Sequence, residues 1–251
     1  MNYQTLRVRY QNKVGYIQFY RPDANNTINS ILVEELTYVL RKCEEAMTVV
    51  VLEGLPEVFC LGADFHDMHH DGNKTAHDPE PLYNLWLQLT QGSYITISHV
   101  RGRANAGGVG FVAASDIVLA DHTAQFSLSE LLFGLYPACV LPFLIRRIGF
   151  QKAHYLTLMT QPILAQQAHE WGLVDAYDEK SESLLRKHLL RLQRLPKTGI
   201  NRYKAYMSQL YRNIHDSKHR AIAANKEMFS DQQILKWITR YVEEGKFPWD
   251  V

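Results

Sequence analysis

Val100-Arg-Gly-Arg-Ala-Asn-Ala-Gly-Gly-Val-Gly110 is the stretch that decides the fold, together with Gln125-Phe-Ser-Leu-Ser-Glu130-Leu-Leu-Phe-Gly134 downstream. The first segment joins an apolar strand, Tyr94 to Val100, to a short apolar helix over Gly107 to Ala114 through a turn of small residues. Such a turn presents bare backbone N–H groups to a ligand oxygen. The second segment carries one glutamate, Glu130, in an otherwise apolar run. A glutamate opening a helix also suits the helix dipole. Its neighbours Leu128, Leu131, Leu132 and Phe133 point instead to a desolvated carboxylate with a raised affinity for protons. An oxyanion hole beside a lone general base suits removal of a proton next to a thioester carbonyl.

Outward from these two segments, the chain alternates strands and helices and then turns helical. Leu6 to Tyr10 and Val14 to Phe19 alternate apolar and polar residues around a short turn, which predicts a β-hairpin. Asn29 or Ser30 caps a helix over about Ile31 to Ala46, with Leu32, Leu36, Val39, Leu40 and Cys43 at helical spacing. Thr48 to Glu53 and Asp116 to Ala120 read as buried strands, Glu57 to Asp64 as a strand end and turn around Gly62, and Leu82 to Thr90 as a helix. Asp64 to Pro81 is polar and His-rich and reads as a mobile loop over a site. Helical periodicity runs over Leu141 to Ile148, Lys152 to Met159, Ala165 to Trp171 and Glu182 to Leu195, then over Asn201 to Tyr211, Lys218 to Phe229 and Gln232 to Glu243. The pattern predicts an α/β core, about 1–195, with C-terminal helices over 196–251, in a single domain of 1–251.

Composition removes several classes of function. Lys plus Arg is 27 and Asp plus Glu is 26, so no net field draws nucleic acid or an anionic membrane. Cys43, Cys60 and Cys139 lie far apart without a C-x-x-C pair, which predicts reduced thiols in the cytoplasm and neither a zinc site nor a disulfide framework. Met1 to Tyr10 does not resemble a signal peptide, and no run reaches the roughly 18 apolar residues of a membrane span.

Pro56 to Phe65, with its aromatic followed by Gly62-Ala63-Asp64, resembles the first signature of the crotonase (enoyl-CoA hydratase/isomerase) superfamily, and Val100 to Gly110 resembles the second. Asp116 to Asp121, Ala124-Gln125-Phe126, Ser129-Glu130-Leu131, Gly134 and Ala168 to Asp175 follow at the family's spacing, and Arg21-Pro22 to Asn29 resembles its N-terminal motif. The resemblance implies a ββα spiral core with a C-terminal helical oligomerisation region, a homotrimer or hexamer, and an oxyanion hole made by the N–H groups of Ala63 and Gly107. Of the family's two hydratase glutamates, one matches Glu130 and the other falls on Gly110, which has no side chain. Two-carboxylate hydration is therefore not expected.

Leu128 to Cys139 in particular is similar to the dehydratases of polyketide β-branching cassettes, of the bacillaene type. That resemblance implies dehydration of 3-hydroxy-3-methylglutaryl on an acyl carrier protein, with a phosphopantetheine-linked thioester as substrate and no other cofactor or metal. One carboxylate suffices if it returns the α-proton to the departing hydroxyl. Candidates to contact the substrate are Asn105, Arg103, His66 and Tyr136, with Lys74, His69, His70 and Tyr83 also near the signatures. Arg146, Arg147 and Lys152 are candidates for carrier docking. A crotonase-type decarboxylase, an enoyl-thioester isomerase and a catalytically inactive binding protein are the alternatives.

Overall fold

The computed structural model describes residues 3–65 and 78–250. The predicted hairpin forms: β1 (Leu6–Gln11) and β2 (Val14–Phe19) pair antiparallel, with Gln11 opposite Val14. Asn12 and Lys13 join them at positive φ, the backbone that lets a two-residue turn follow the strand twist. Asn29 caps α1 (Ser30–Ala46) by accepting the Leu32 N–H at 3.0 Å. The inner face of α1 buries the apolar residues named from its spacing.

From β3 (Val49–Glu53) onward the chain repeats one unit: a strand in a large sheet, a strand in a small sheet, then a helix. β3 and β4 (Val58–Cys60) precede α2 (Glu80–Gln91). β5 (Ile95–Val100) and β6 (Arg103–Asn105) lead into α3 (Gly107–Ala114). β7 (Ile117–Asp121) and β8 (Gln125–Ser127) lead into a 3-10 turn, Glu130–Phe133, and then α4 (Leu141–Ile148). After α5 (Phe150–Met159) come β9 (Ile163–Leu164), α6 (Ala165–Glu170), β10 (Ala176–Asp178) and α7 (Ser181–Leu192). The large sheet has the order β1-β2-β3-β5-β7-β10 and the small one β4-β6-β8-β9. This is the expected α/β spiral. Val49 to Leu52 and Ile97 are fully buried because helices or the second sheet cover both faces of the large sheet.

The C-terminal helices are α8 (Lys197–Leu210), α9 (Asn213–Asp216), α10 (Lys218–Ser230) and α11 (Gln232–Glu244). Helix α8 starts at Lys197, earlier than the periodicity suggested, because Pro196 sets its extended N-cap. The short α9 and the strands β6, β8 and β9 were not evident from the sequence. Met228, Ile234 and Ile238 pack on Phe133, Leu135 and Ala138, so α10 and α11 fold back over the turn that begins at Glu130. Among the described residues no helix is long and apolar enough to cross a membrane.

Candidate active site

Three short strands aim one site. β4, β6 and β8 are mutually parallel, so the turns after them emerge at the same edge of the small sheet. These turns carry Gly62-Ala63, Asn105 to Gly107, and Ser129-Glu130. Ligands bind outside the carboxyl ends of parallel strands for the same reason in open α/β sheets.

The first turn is pinned from the N-terminal segment. Ile28 donates its N–H to the Gly62 carbonyl at 2.7 Å and accepts from the Asp64 N–H at 3.1 Å. These bonds bracket Ala63, and neither uses its own N–H. Arg21 donates to Asp64 at 2.8 Å, and Thr27 also donates to that carboxylate. Asp64 of the Gly-Ala-Asp signature is thus an anchor for the turn. Gly62 has φ +90°, and a Cβ there would lie 2.7 Å from the Ala106 Cβ and 3.3 Å from the Gly107 nitrogen. The first and second turns therefore touch, and only glycine fits at their contact.

The second turn is strained. Ala106 has φ 51° and ψ −120°, a backbone that costs a residue with a Cβ about 1–3 kcal/mol. It is held by its N–H donating to the Ser127 carbonyl at 3.0 Å. The Asn105 side chain secures it further, accepting from the Ser127 hydroxyl at 2.8 Å and donating to the Ser129 hydroxyl at 2.9 Å. Asn105 is thus the clamp between the second and third turns, which engages most of the amide that the sequence offered to substrate. Gly107 is the first residue of α3, so its N–H has no acceptor within the helix. Among the described residues no group accepts from the N–H of Ala63 or of Gly107.

Glu130 opens the third turn. Its Oε2 is buried and has no hydrogen-bond partner among the described residues. Burial pushes its pKa up to about 7, against the partial offset of the Glu130 and Ser129 N–H groups. The walls that remove water from it are Ile28, Trp86, Phe133, Leu135 and Val140. Of the neighbours named from sequence, Leu128 and Phe133 are buried, but Leu131 is 37% exposed. Cys139 lines the same cavity with its thiol pushed up to about 12 by burial, so it stays protonated and is no nucleophile at neutral pH.

Gly110, where a second carboxylate was looked for, is not simply vacant. A Cβ at Gly110 would fall 2.3 Å from the Trp86 indole, which fills that volume from α2. Trp86 is 1% exposed, lines the cavity and leaves its Nε1–H without an acceptor among the described residues. Asn225, from α10, lines the cavity with its Oδ1 buried and without a partner among the described residues. Neither residue was found from the sequence. Trp86 lies inside Leu82 to Thr90, a segment that shows only helical character, and Asn225 lies in a C-terminal segment with no motif.

The other candidates separate. Tyr136 lines the cavity and is 41% exposed at its mouth. Arg103 is exposed at the start of β6 and does not line the cavity, so it is corrected to a surface residue. His66, His69, His70 and Lys74 lie outside the described residues. Tyr83 is a core residue, fully buried with its hydroxyl donating to the Ile214 carbonyl. The proposed docking cluster also needs correction. Arg147 donates to the carbonyls of Leu173 and Ser115 at 2.8 and 3.0 Å and pairs with Asp175 at 2.5 Å. Arg146 donates to the Ala113 carbonyl at 3.0 Å. Both arginines tie helices together and do not form a free basic face; only Lys152 is exposed, on α5.

Comparison with known proteins agrees with this geometry. The 62% identical bacillaene synthase dehydratase PksH of Bacillus subtilis (strain 168) aligns over 254 positions, covering 100% of this chain and 98% of that protein. The crystal structure of PksH from Bacillus subtilis superposes with a TM-score of 0.97, covering 98% of this chain and 100% of that one. The 2,3-dehydroadipyl-CoA hydratase of Escherichia coli (strain K12) is 32% identical over 173 residues, 67% of each protein. A methylmalonyl-CoA decarboxylase structure shares the fold with a TM-score of 0.84 at 22% identity over 100% of this chain and 99% of that one. The sequence model of the enoyl-CoA hydratase/isomerase family matches residues 9–251, and the chain belongs to that family.

Proposed function

We propose that this chain dehydrates 3-hydroxy-3-methylglutaryl on an acyl carrier protein to 3-methylglutaconyl during polyketide β-branching. At the coarser level it is a lyase of the hydratase and dehydratase kind. The observation that carries the finer reading is that, among the described residues, one desolvated carboxylate, Glu130, shares the cavity with two N–H groups that have no acceptor. Ionised Glu130 takes the α-proton, and the C–H electron pair moves onto the thioester oxygen. The N–H groups of Ala63 and Gly107 hold that enolate oxygen. As the enolate collapses, the C2–C3 double bond forms, the C3–O bond breaks, and Glu130 hands its proton to the departing hydroxyl. Water leaves and Glu130 is again ionised. A tertiary C3 eases C–O cleavage, which suits a site with one carboxylate.

Arg103 is outside the cavity, and Tyr136, at its mouth, is the residue whose hydroxyl can donate to the substrate's distal carboxylate. The steps draw on no metal or cofactor beyond the phosphopantetheine arm of the substrate. Exposed apolar residues on α5 (Phe150, Tyr155, Leu158) and on α8 (Tyr203, Tyr206, Leu210) suit burial in a homotrimer or hexamer in the cytoplasm. The experiment is intact mass spectrometry of a carrier protein loaded with the 3-hydroxy-3-methylglutaryl group. Loss of one water mass is expected. Loss of carbon dioxide, or turnover without change of mass, overturns the reading in favour of decarboxylation or isomerisation.

A further inference from the structure

The buried polar atoms without partners are not scattered at random. Among the described residues the side-chain atoms in this condition are those of Trp86, Tyr94, Arg101, Glu130 and Asn225, and three of these five residues line the one cavity. A buried N–H left unpaired costs about 1–3 kcal/mol, and beside a cavity a bound ligand is the group that can complete it. Trp86 is held in place by edge-on contacts with Phe111 and Phe143, at 5.9 and 5.8 Å between ring centroids. Its indole presses on Gly110, and Gly110 lies three residues along α3 from Gly107. Three residues are about one helical turn, a rise of about 4.5 Å. The unpaired indole thus belongs to the region one turn along α3 from the N–H that receives the thioester oxygen. In a β-hydroxy thioester the second oxygen sits three bonds from the carbonyl carbon, so a donor in this neighbourhood is placed for it.

We infer that the Trp86 Nε1–H donates a hydrogen bond to the β-hydroxyl oxygen of the substrate and supports it as it leaves. This rests on the dehydratase reading above. An indole N–H is a donor only. It stabilises the growing electron density on a departing oxygen, but it cannot accept a proton from water, and its bulk excludes a carboxylate from position 110. Trp86 therefore acts in C–O cleavage alone, whereas Glu130, Ala63 and Gly107 act in both halves of the reaction.

That division gives a test with two readouts. Position 86 is replaced by 3-benzothienylalanine, which keeps the shape of the bicycle and exchanges N–H for sulfur; Trp86→Phe is the second variant. Each is incubated in D2O with the carrier-linked 3-hydroxy-3-methylglutaryl thioester, and water loss and α-deuterium incorporation are followed by mass. Water loss should fall about 10- to 100-fold in both variants while deuterium still enters at a rate no lower than wild-type water loss. Parallel loss of exchange and elimination would mean that Trp86 only shapes the cavity, and undiminished water loss would mean that it makes no such bond; either overturns the assignment. Wild-type protein that neither exchanges nor eliminates would instead bring down the dehydratase reading itself.

Discussion

Two buried polar groupings in this molecule look alike in composition and differ in completeness. One joins Glu53, His99 and Ser181: the imidazole of fully buried His99 meets the Glu53 carboxylate at 3.2 Å and the Ser181 hydroxyl at 3.0 Å. Its residue types are those of a hydrolytic triad, yet Ser181 is 3% exposed at the start of α7 and every ring nitrogen is used. The other holds Glu130, Trp86 and Asn225 around a mostly apolar cavity, each with a buried atom that has no partner among the described residues. The first grouping has nothing left to offer a substrate and serves to bind β5 to α7. The second is incomplete in the absence of substrate. A cluster is reactive where its bonds are missing, not where its residue types resemble a familiar triad.

The largest effect expected from breaking this contrast is at Glu130. Glu130→Gln keeps the shape of the side chain and removes its proton transfer, so water loss should fall about 10³- to 10⁴-fold. In the wild type, kcat/KM should rise with pH and level off above about 7, where Glu130 ionises; a rise centred in the ordinary carboxylate range would contradict a desolvated base. Stability should move the other way. Between about pH 4.5 and 7 the folded protein keeps a proton that the unfolded chain has released, so this group makes the fold less stable as pH rises, by about 3 kcal/mol once pH exceeds 7. Glu130→Gln should therefore melt higher than wild type at pH 8 and level with it near pH 4, by calorimetry. An equally stable variant at both pH values would show that the carboxylate is solvated.

A smaller loss is expected from parting the two turns that form the oxyanion hole. Gly62→Ala places a Cβ at φ +90° against the Ala106 methyl and close to the Gly107 nitrogen. The donors then no longer converge, and kcat should fall about 10²- to 10³-fold, the usual effect of losing one such donor, with KM little changed. Loss expressed only in KM would mean that the turns hold the substrate without stabilising its enolate.

The parts of this site were unequally legible in the sequence. The turns at Gly62-Ala63 and Gly107 were evident because special backbone needs leave glycines and small residues behind, and Glu130 because a lone charge interrupts an apolar run. The strands that carry them were not. β6 and β8 have three residues each, too few to show alternation, and β9 has two. The spiral was legible only through the family resemblance and not through periodicity, since its units match in topology and not in sequence. Trp86 and Asn225 escaped because their importance lies in an absent partner, which no spacing encodes. Arg146 and Arg147 misled in the opposite sense: adjacent basic residues at a helix end suggest a surface, and only the packed structure reveals the carbonyls of Ala113, Ser115 and Leu173 that they serve.

The smallest effect on turnover should come from the complete grouping. Burial works against the charge of Glu53, but the hydrogen bond and charge of His99, with Arg101 and Arg9 nearby, outweigh it and hold the carboxyl below the usual range. A depressed carboxyl contributes stability above its unfolded pKa, and that contribution is lost as pH falls through its folded value. Glu53→Gln should therefore be less stable than wild type at neutral pH, by about 1–3 kcal/mol for a charged hydrogen bond lost, and the difference should close in acid. That is the reverse of the trend for Glu130→Gln. Ser181→Ala should cost a similar amount by stranding the His99 Nε2, a fall of several degrees in melting temperature for a chain of this size. Neither variant should change kcat/KM more than about twofold, because neither residue lines the cavity. A large loss of water elimination in Ser181→Ala at an unchanged melting temperature would move the chemistry from the incomplete cluster to the complete one, and with it the argument that missing partners mark the active site.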